Sequence, residues 1–474
     1  MSRPPEAAGE GSSPFPPEVF RRRRERVRKE LDGGALLLPG ADVLHRSRDT
    51  QFPFRPDSEL FYLTGCAEPR VVALFRDAQE EEGLTLFVPR RDPETELWSG
   101  PRLGPEEARE RFAAEASYPL DELEERLPDL LKPASRIFFR LGAHPRVEPL
   151  VIRALAHARG RGARKGEGPR SVWDPGMILD ELRLRKEPEE VDRIRRAAGI
   201  TVEAFREAMG AAGPGEGEWA VEAALEAGFR RRGARGPAFP TIVGSGPNAC
   251  VLHYEDNARR MEEGELVLLD GGAEVGLYAG DVTRTFPVAG GFDTAQRAVY
   301  EVVREAHEAA LAAVHPGATT AQVHRAAVQA LTRGLVDLEV LSGDVDALVE
   351  EEAYKPFFPH QTSHWLGLDV HDVGDYAVAG TARLLEPGMV LTVEPGLYFR
   401  PSSVEGSPDS SASPAASPDS PGPFRGIGVR LEDDVLVTES GAENLTAPLP
   451  VDAEEMVELV GVAAGEGGLR TEAW

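Results

Sequence analysis

An α/β domain followed by a larger α+β domain is what this sequence predicts, and three observations carry that reading. At 474 residues the chain is too long for a single hydrophobic core of ordinary size, since one domain takes about 150 residues. As far as residue 142, short apolar runs alternate with helical patterns. From Pro188 onward, long amphipathic helices are interspersed with antiparallel hairpin patterns.

Residues 1–17 are rich in Pro, Gly, Ser and Glu and read as a disordered tail. The first domain is expected over 18–175. It opens with PEVFRRRRERVRKEL, a helix whose arginines, interleaved with Glu25 and Glu30, read as a solvated face rather than a nucleic-acid patch. The runs GALLL at 34–38, ELFYLTG at 59–65, VVALF at 71–75, LTLFV at 84–88 and RIFFRLG at 136–142 read as strands. Pro105 to Ala116 and Leu120 to Leu131 read as helices. At 158–175 the periodicity fades into Gly, Arg and Pro, which marks an interdomain segment ending near Pro175.

The second domain is expected over 176–450. Pro188 suits the first turn of a helix, and Glu189 and Glu190 suit its positive end. Val191, Ile194, Ala198, Val202, Phe205 and Met209 recur at spacings of three and four, so one stripe should face a core. Further helices are expected near 219–232, 293–314 and 320–335, with strands near 265–288, 389–394 and 426–437. The Ser/Pro-rich stretch 401–423 cannot bury enough apolar surface to order and reads as a flexible insertion, and 451–474 as a C-terminal segment.

Composition narrows the function. Lys and Arg total 53 against 80 Asp and Glu, and the resulting net charge of −27 repels phosphate backbones and anionic bilayers, so no nucleic-acid or membrane partner is expected. No stretch approaches the ~20 apolar residues of a spanning helix, and no apolar leader opens the chain. Two cysteines, Cys66 and Cys250, in unlike contexts build neither a disulfide framework nor a thiolate zinc site, which fits a reducing cytoplasm. Cys250 lies close to His253, but its apolar setting ACVL indicates a buried, inert thiol. The glycines of VGSGPN lack a dinucleotide fingerprint, and no GxSxG elbow is present.

The chemistry gathers in a few segments. LVLLDGG and GDVTRTFPV read as two strands whose pairing can set Asp270 beside Asp281, an arrangement that needs a cation or a shared proton. The interval between them spans an EF-hand's 12 positions but has Val275 where the loop needs Gly, so calcium is a poor fit. His360, His364 and His371 cluster in FFPHQTSHWLGLDVHDVG. Glu394 follows an apolar strand in MVLTVEPGLY, where an unpartnered charge would be expensive to bury. In GIGVRLEDDVLV, alternation aligns Arg430, Glu432 and Asp434; Arg430 could pair with Glu432, and the EDD run could be a solvated strand end.

These segments together resemble the pita-bread metallopeptidases, and among them the Xaa-Pro aminopeptidases (aminopeptidase P), with PFRPDSELFYLTG similar to the creatinase-type N-terminal domain of that family. The resemblance implies two divalent metal ions held by Asp270, Asp281, His364, Glu394 and Glu432, with Asp281 and Glu432 bridging, Asp270 on one ion, and His364 and Glu394 on the other. An oxygen-rich set with one imidazole suits Mn²⁺, with Zn²⁺ or Co²⁺ as substitutes. It implies hydrolysis of the bond before a second-position proline by a metal-bridging hydroxide, with Glu394 shuttling the proton. His253 and His371 would contact the substrate and stabilise the tetrahedral intermediate, while His360, Tyr398 and Arg430 would border the proline pocket. A cytoplasmic homodimer or homotetramer acting on such peptides is expected. Trp98 matches a position that reaches a neighbouring subunit in some bacterial relatives. Xaa-Pro has no scissile N–H, so the site should be a snug slot rather than one that grips that proton.

Two departures from the typical bacterial pattern stand out. Gln361 occupies the position where Gly usually follows the first histidine, and the stretch from Glu394 to Glu432 is lengthened by the Ser/Pro insertion. A Xaa-Pro dipeptidase would share every ligand, and a metal-free peptide-binding relative would lack some of them.

Overall fold

The structure, a computed structural model, describes residues 15–80, 83–160, 162–401 and 422–460. The tail expected at 1–17, the insertion at 401–423 and the C-terminal segment at 451–474 fall largely outside these residues. Two compact units emerge, Met1–Leu182 and Arg183–Trp474.

The first unit is built on a six-stranded sheet in the order Ala116–Pro119, Leu84–Val88, Val72–Arg76, Ala35–Pro39, Ile137–Phe138, Val172–Trp173. The three strands richest in Val, Leu and Phe pair antiparallel at its centre and are buried on both faces, as continuous apolar runs require. Leu37, Leu74 and Phe87 pack there against Leu123, Leu127 and Val151 from two helices, Leu123–Leu130 and Glu148–Gly160. The Gly- and Arg-rich stretch before Pro175 contributes the edge strand Val172–Trp173, which pairs with Ile137–Phe138.

Two readings of this unit need correction. The run at 59–65 is a helix, Ser58–Thr64, not a strand. Asp57 caps it by accepting from the Leu60 amide at 2.8 Å, and Gly65 ends it with φ 70°. The arginine cluster of the helix Pro17–Glu30 is not wholly solvated either, since Arg23 and Arg24 are buried. Their guanidinium groups donate to the carbonyls of Tyr62 and Leu63 in the last turn of Ser58–Thr64, both at 3.1 Å. Arg23 also lies over the Tyr62 ring at 4.1 Å from its centroid.

In the second unit the helix Pro188–Gly210 buries its apolar stripe, and Glu190 closes its first turn by accepting from the Glu187 amide at 3.0 Å. It packs with Glu218–Arg231, and Thr294–Ala312 packs with Thr320–Asp337. Both members of the second pair start at a side-chain cap, Asp293 and Thr319. Ile200, Phe205 and Leu225 share one core with Val267, Leu269 and Phe286 of the adjoining sheet.

That sheet places Leu266–Gly271 between Ile242–Ser245 and Val282–Pro287, all antiparallel, with Asp270 opposite Thr283. Between Asp270 and Asp281 the chain makes a smaller hairpin, Ala273–Val275 with Tyr278–Ala279. Gly276 and Leu277, at φ 59° and 73°, give its two-residue turn the left-handed conformation that matches strand twist. Gly272 crosses so near the Gly280 carbonyl that a Cβ there would lie 1.6 Å from the oxygen, so a glycine is obligatory. A second sheet, Val390–Val393, Asp433–Thr438 and Gly441–Asn444, and a strand pair, Gly396–Tyr398 with Gly428–Arg430, complete the framework. Single bridges join Thr283 to Glu432 and Trp365 to Leu391. No helix among the described residues is long and apolar enough to cross a membrane.

Candidate active site

A cavity of about 550 Å³ in the second unit is lined by Asp270, Asp281, His364, Glu394 and Glu432. Each is held by the backbone that carries it. Asp270 is the last but one residue of the central strand and Asp281 directly precedes the next. His364 is locked to Thr392: its amide donates to the threonine hydroxyl at 3.1 Å, and its carbonyl accepts from the threonine amide at 2.9 Å. The Glu394 amide donates to the Thr362 carbonyl at 2.8 Å, and that of Glu432 to the Thr283 carbonyl at 3.0 Å. The Thr283 hydroxyl then donates to the Glu432 carboxylate at 2.6 Å.

One donor atom each from Asp281, His364 and Glu432 lies within 4.8 Å of the other two. His364 Nε2 stands 3.3 Å from Asp281 Oδ2 and 3.7 Å from Glu394 Oε1. Asp270 Oδ2 accepts from Arg430 Nη2 at 2.5 Å, while Asp270 Oδ1 is buried with no hydrogen-bond partner. Arg430 is thus paired with Asp270 and not with Glu432, and Glu432, Asp433 and Asp434 are all buried rather than forming a solvated strand end.

So many acids in one enclosed space are unstable as anions. Burial, against the pull of His364 and Arg430, raises the Glu394 carboxyl to about 7. The same cause raises Asp270 to about 6 and Glu432 well above the carboxylate range. Burial alone would lower His364, but Asp281 and Glu394 outweigh it and lift the imidazole to about 9. Divalent cations fit this set: four carboxylates and one imidazole are hard donors, their repulsion calls for positive charge, and Asp270 Oδ1 has nothing else to bind.

Around this set stand the other residues singled out from the sequence. His253, His360, His371 and Arg430 line the cavity; Tyr398 lies behind them, outside its wall. Arg430 Nη1 donates to the Tyr398 hydroxyl at 3.1 Å, and that oxygen lies 2.9 Å from His360 Nε2. His360 Nδ1 is 2.8 Å from the Gln361 carbonyl, which can only accept, so Nδ1 carries the proton and Nε2 receives that of Tyr398. This neutral tautomer agrees with burial and Arg430 pushing His360 down to about 3, so its 3.6 Å approach to Glu394 is not an ion pair. The ring of His371 meets that of His364 edge to face at 4.5 Å, and burial, with His364 beside it, lowers its pKa. The strands flanking the 401–423 insertion pair directly with each other, Gly396 opposite Arg430.

Several contributors carried no clear signal in the sequence. Phe239, Pro240 and Ile242 form an apolar part of the wall. Arg284, fully buried, donates to the carbonyls of Thr283 and Glu432 and to Asp433, and Asp434 accepts from the Asp281 amide. Of these, only Asp434 is singled out by the sequence, from its alternation with Arg430 and Glu432. Cys250 is buried, and burial pushes its thiol up to about 12, so it holds no thiolate at neutral pH.

A buried, acid-rich set of donors that fits divalent cations, opening on a cavity of about 550 Å³, defines a metallohydrolase type of centre. Residues 192–439 match metallopeptidase family M24, and residues 20–138 match the aminopeptidase P N-terminal domain. The chain is 40% identical to the Xaa-Pro aminopeptidase of Escherichia coli over 449 residues, 94% of this chain and 98% of that one. The solved aminopeptidase PepP of Pseudomonas aeruginosa superposes with a TM-score of 0.87 at 39% identity, covering 95% of this chain and 99% of that one. A zinc-substituted E. coli aminopeptidase P in complex with product gives 0.86 at 40% identity, with the same coverage. The chain therefore belongs to metallopeptidase family M24, in its aminopeptidase P branch, with that family's N-terminal domain and pita-bread catalytic domain.

Proposed function

We propose that this protein is a metal-dependent Xaa-Pro aminopeptidase, which removes the N-terminal residue from peptides with proline in second position. The observation that carries the proposal is the convergence of Asp270, Asp281, His364, Glu394 and Glu432 on one cavity, in a chain 40% identical to a Xaa-Pro aminopeptidase.

Asp281 and Glu432 would be shared by two divalent ions, Asp270 would hold one, and His364 and Glu394 the other. When bound, such a pair polarises the scissile carbonyl and makes water acidic enough to attack near neutral pH. The protein's own groups do the rest. Glu394 takes the proton from the attacking water and passes it to the departing proline nitrogen. His253 and His371 line the same cavity, where an N–H donor from either would stabilise the negative charge developing on the carbonyl oxygen. Arg430 orients Asp270, and through Tyr398 it fixes the His360 ring beside the apolar wall that receives proline.

Mn²⁺ is the proposed metal, on the hardness of the donors, with Zn²⁺ or Co²⁺ as substitutes. The proposed location is the cytoplasm, in keeping with two unpaired, buried cysteines. The proposed assembly is a homodimer or homotetramer, which the neighbouring Leu97 and Trp98, 81% and 88% exposed, would help to form.

Comparing a Xaa-Pro dipeptide with a Xaa-Pro-containing pentapeptide, each with and without added Mn²⁺, tests the proposal. Metal-stimulated release of the first residue from the pentapeptide is expected. Cleavage of the dipeptide alone would make the protein a dipeptidase, and metal-free protein that stays inert with Mn²⁺ would make it a peptide-binding relative.

A further inference from the structure

The loop from Ser245 to Arg259, which brings His253 to the cavity, is organised by a buried carboxylate that no step above uses. Glu218, at the start of the helix Glu218–Arg231, is fully buried. Its Oε1 accepts from the Ser245 amide and hydroxyl, both at 2.7 Å, and from Asn248 Nδ2 at 3.2 Å. Its Oε2 accepts from the Tyr254 hydroxyl at 2.9 Å and the Arg259 amide at 2.8 Å. All these donors belong to the one loop. A second pin lies at Asn257, whose side chain accepts from the Val243 amide and donates to the Thr241 carbonyl, both at 2.8 Å. The loop therefore leaves and rejoins the same strand edge, and His253 precedes the tyrosine that Glu218 grips.

We infer that Glu218 is a positioning residue for the reaction, holding the His253 imidazole at the cavity wall through Tyr254 and the two ends of the loop. The inference rests on His253 meeting the substrate as proposed above. Displacement of a catalytic group by about 1 Å is enough to cost a hundredfold in rate, so a loop anchor can matter as much as a contact residue.

Glu218→Gln keeps the side-chain volume but leaves one accepting oxygen where two are needed, so part of the donor set loses its partner. In the metal-loaded enzyme, kcat should fall roughly 10- to 100-fold, with KM within about twofold and metal content unchanged. Amide exchange should accelerate over 245–259 and not over the strand Leu266–Gly271. In a His253→Ala background the same substitution should cost no more than about twofold, because the group it positions is gone. An undiminished loss in that background, or an unchanged kcat despite faster exchange, overturns the inference. If Glu218→Gln does not fold, Tyr254→Phe removes a single donor and should show a smaller fall with the same cancellation. A wild-type enzyme inert on every Xaa-Pro peptide would instead reject the functional reading, and the exchange data alone would then decide whether Glu218 holds the loop.

Discussion

Stripping the metal should leave a protein that loses stability as pH rises through neutrality, the reverse of ordinary carboxylate behaviour. In the folded chain the Glu394 carboxyl sits at about 7 and that of Asp270 at about 6, both because burial penalises the anion. Unfolded, such groups titrate near 4. Between those values the native state holds protons that the unfolded state has released, so stability falls with rising pH. The contribution is fully present below about pH 4 and is lost as pH passes the folded values. At about 1.4 kcal/mol per tenfold in proton affinity, Glu394 alone contributes on the order of 3 kcal/mol, or about 6 °C in the midpoint of a domain this large. Asp270 acts with the same sign, and so does His364, whose stabilising proton is lost as pH rises through about 9. The assay is thermal unfolding of chelator-treated protein from pH 6.5 to 8, above the range in which His360, held down to about 3, acts with the opposite sign, at constant ionic strength, beside Glu394→Gln, which cannot titrate. The wild-type slope should be the steeper, and added Mn²⁺ should raise the midpoint most at pH 8, where the ligands need not first shed protons. A metal-free midpoint that is flat or rising over this range, or an equal slope in Glu394→Gln, would refute the reasoning.

Asp270→Ala and His364→Ala should each abolish turnover while leaving circular dichroism native; near-normal turnover in either would reject the ligand assignment. In the N-terminal unit, Arg23→Met should cost about 1–3 kcal/mol in urea unfolding, because the buried Tyr62 carbonyl loses its donor; an unchanged midpoint would show that water takes its place. Cys66 and Cys250, both with thiols pushed up to about 12 by burial, should resist a thiol reagent at pH 8 until the protein unfolds. Labelling of the native protein would contradict their burial.

Much of the scaffold is legible in local patterns. The helix Pro188–Gly210 announces itself by its proline, its first-turn acids and a stripe of spacing three and four. Asp270 and Asp281 each stand beside a glycine and Glu394 at the end of an apolar run where burial would otherwise be costly, while His364 and Glu432 are singled out by the resemblance of their segments to the family. At Ser58–Thr64 the local signal was present but misread, since an apolar run buried on every side looks alike in a strand and a helix, and only Asp57 and Gly65 distinguish them.

What no local pattern contains is who meets whom. Arg23 and Arg24 look like any solvated arginines until Ser58–Thr64 offers them the carbonyls of Tyr62 and Leu63. Arg430 pairs with Asp270, 160 positions away, in preference to its near neighbour Glu432, because the register that sets Asp270 opposite Thr283 and the bridge from Thr283 to Glu432 bring those strands together. Residue type and spacing settle which groups can bear charge or bury it. Which of them share one desolvated cavity, and so shift one another's proton affinity, depends on strand register and long-range pairing, because electrostatic coupling follows distance in space rather than along the chain.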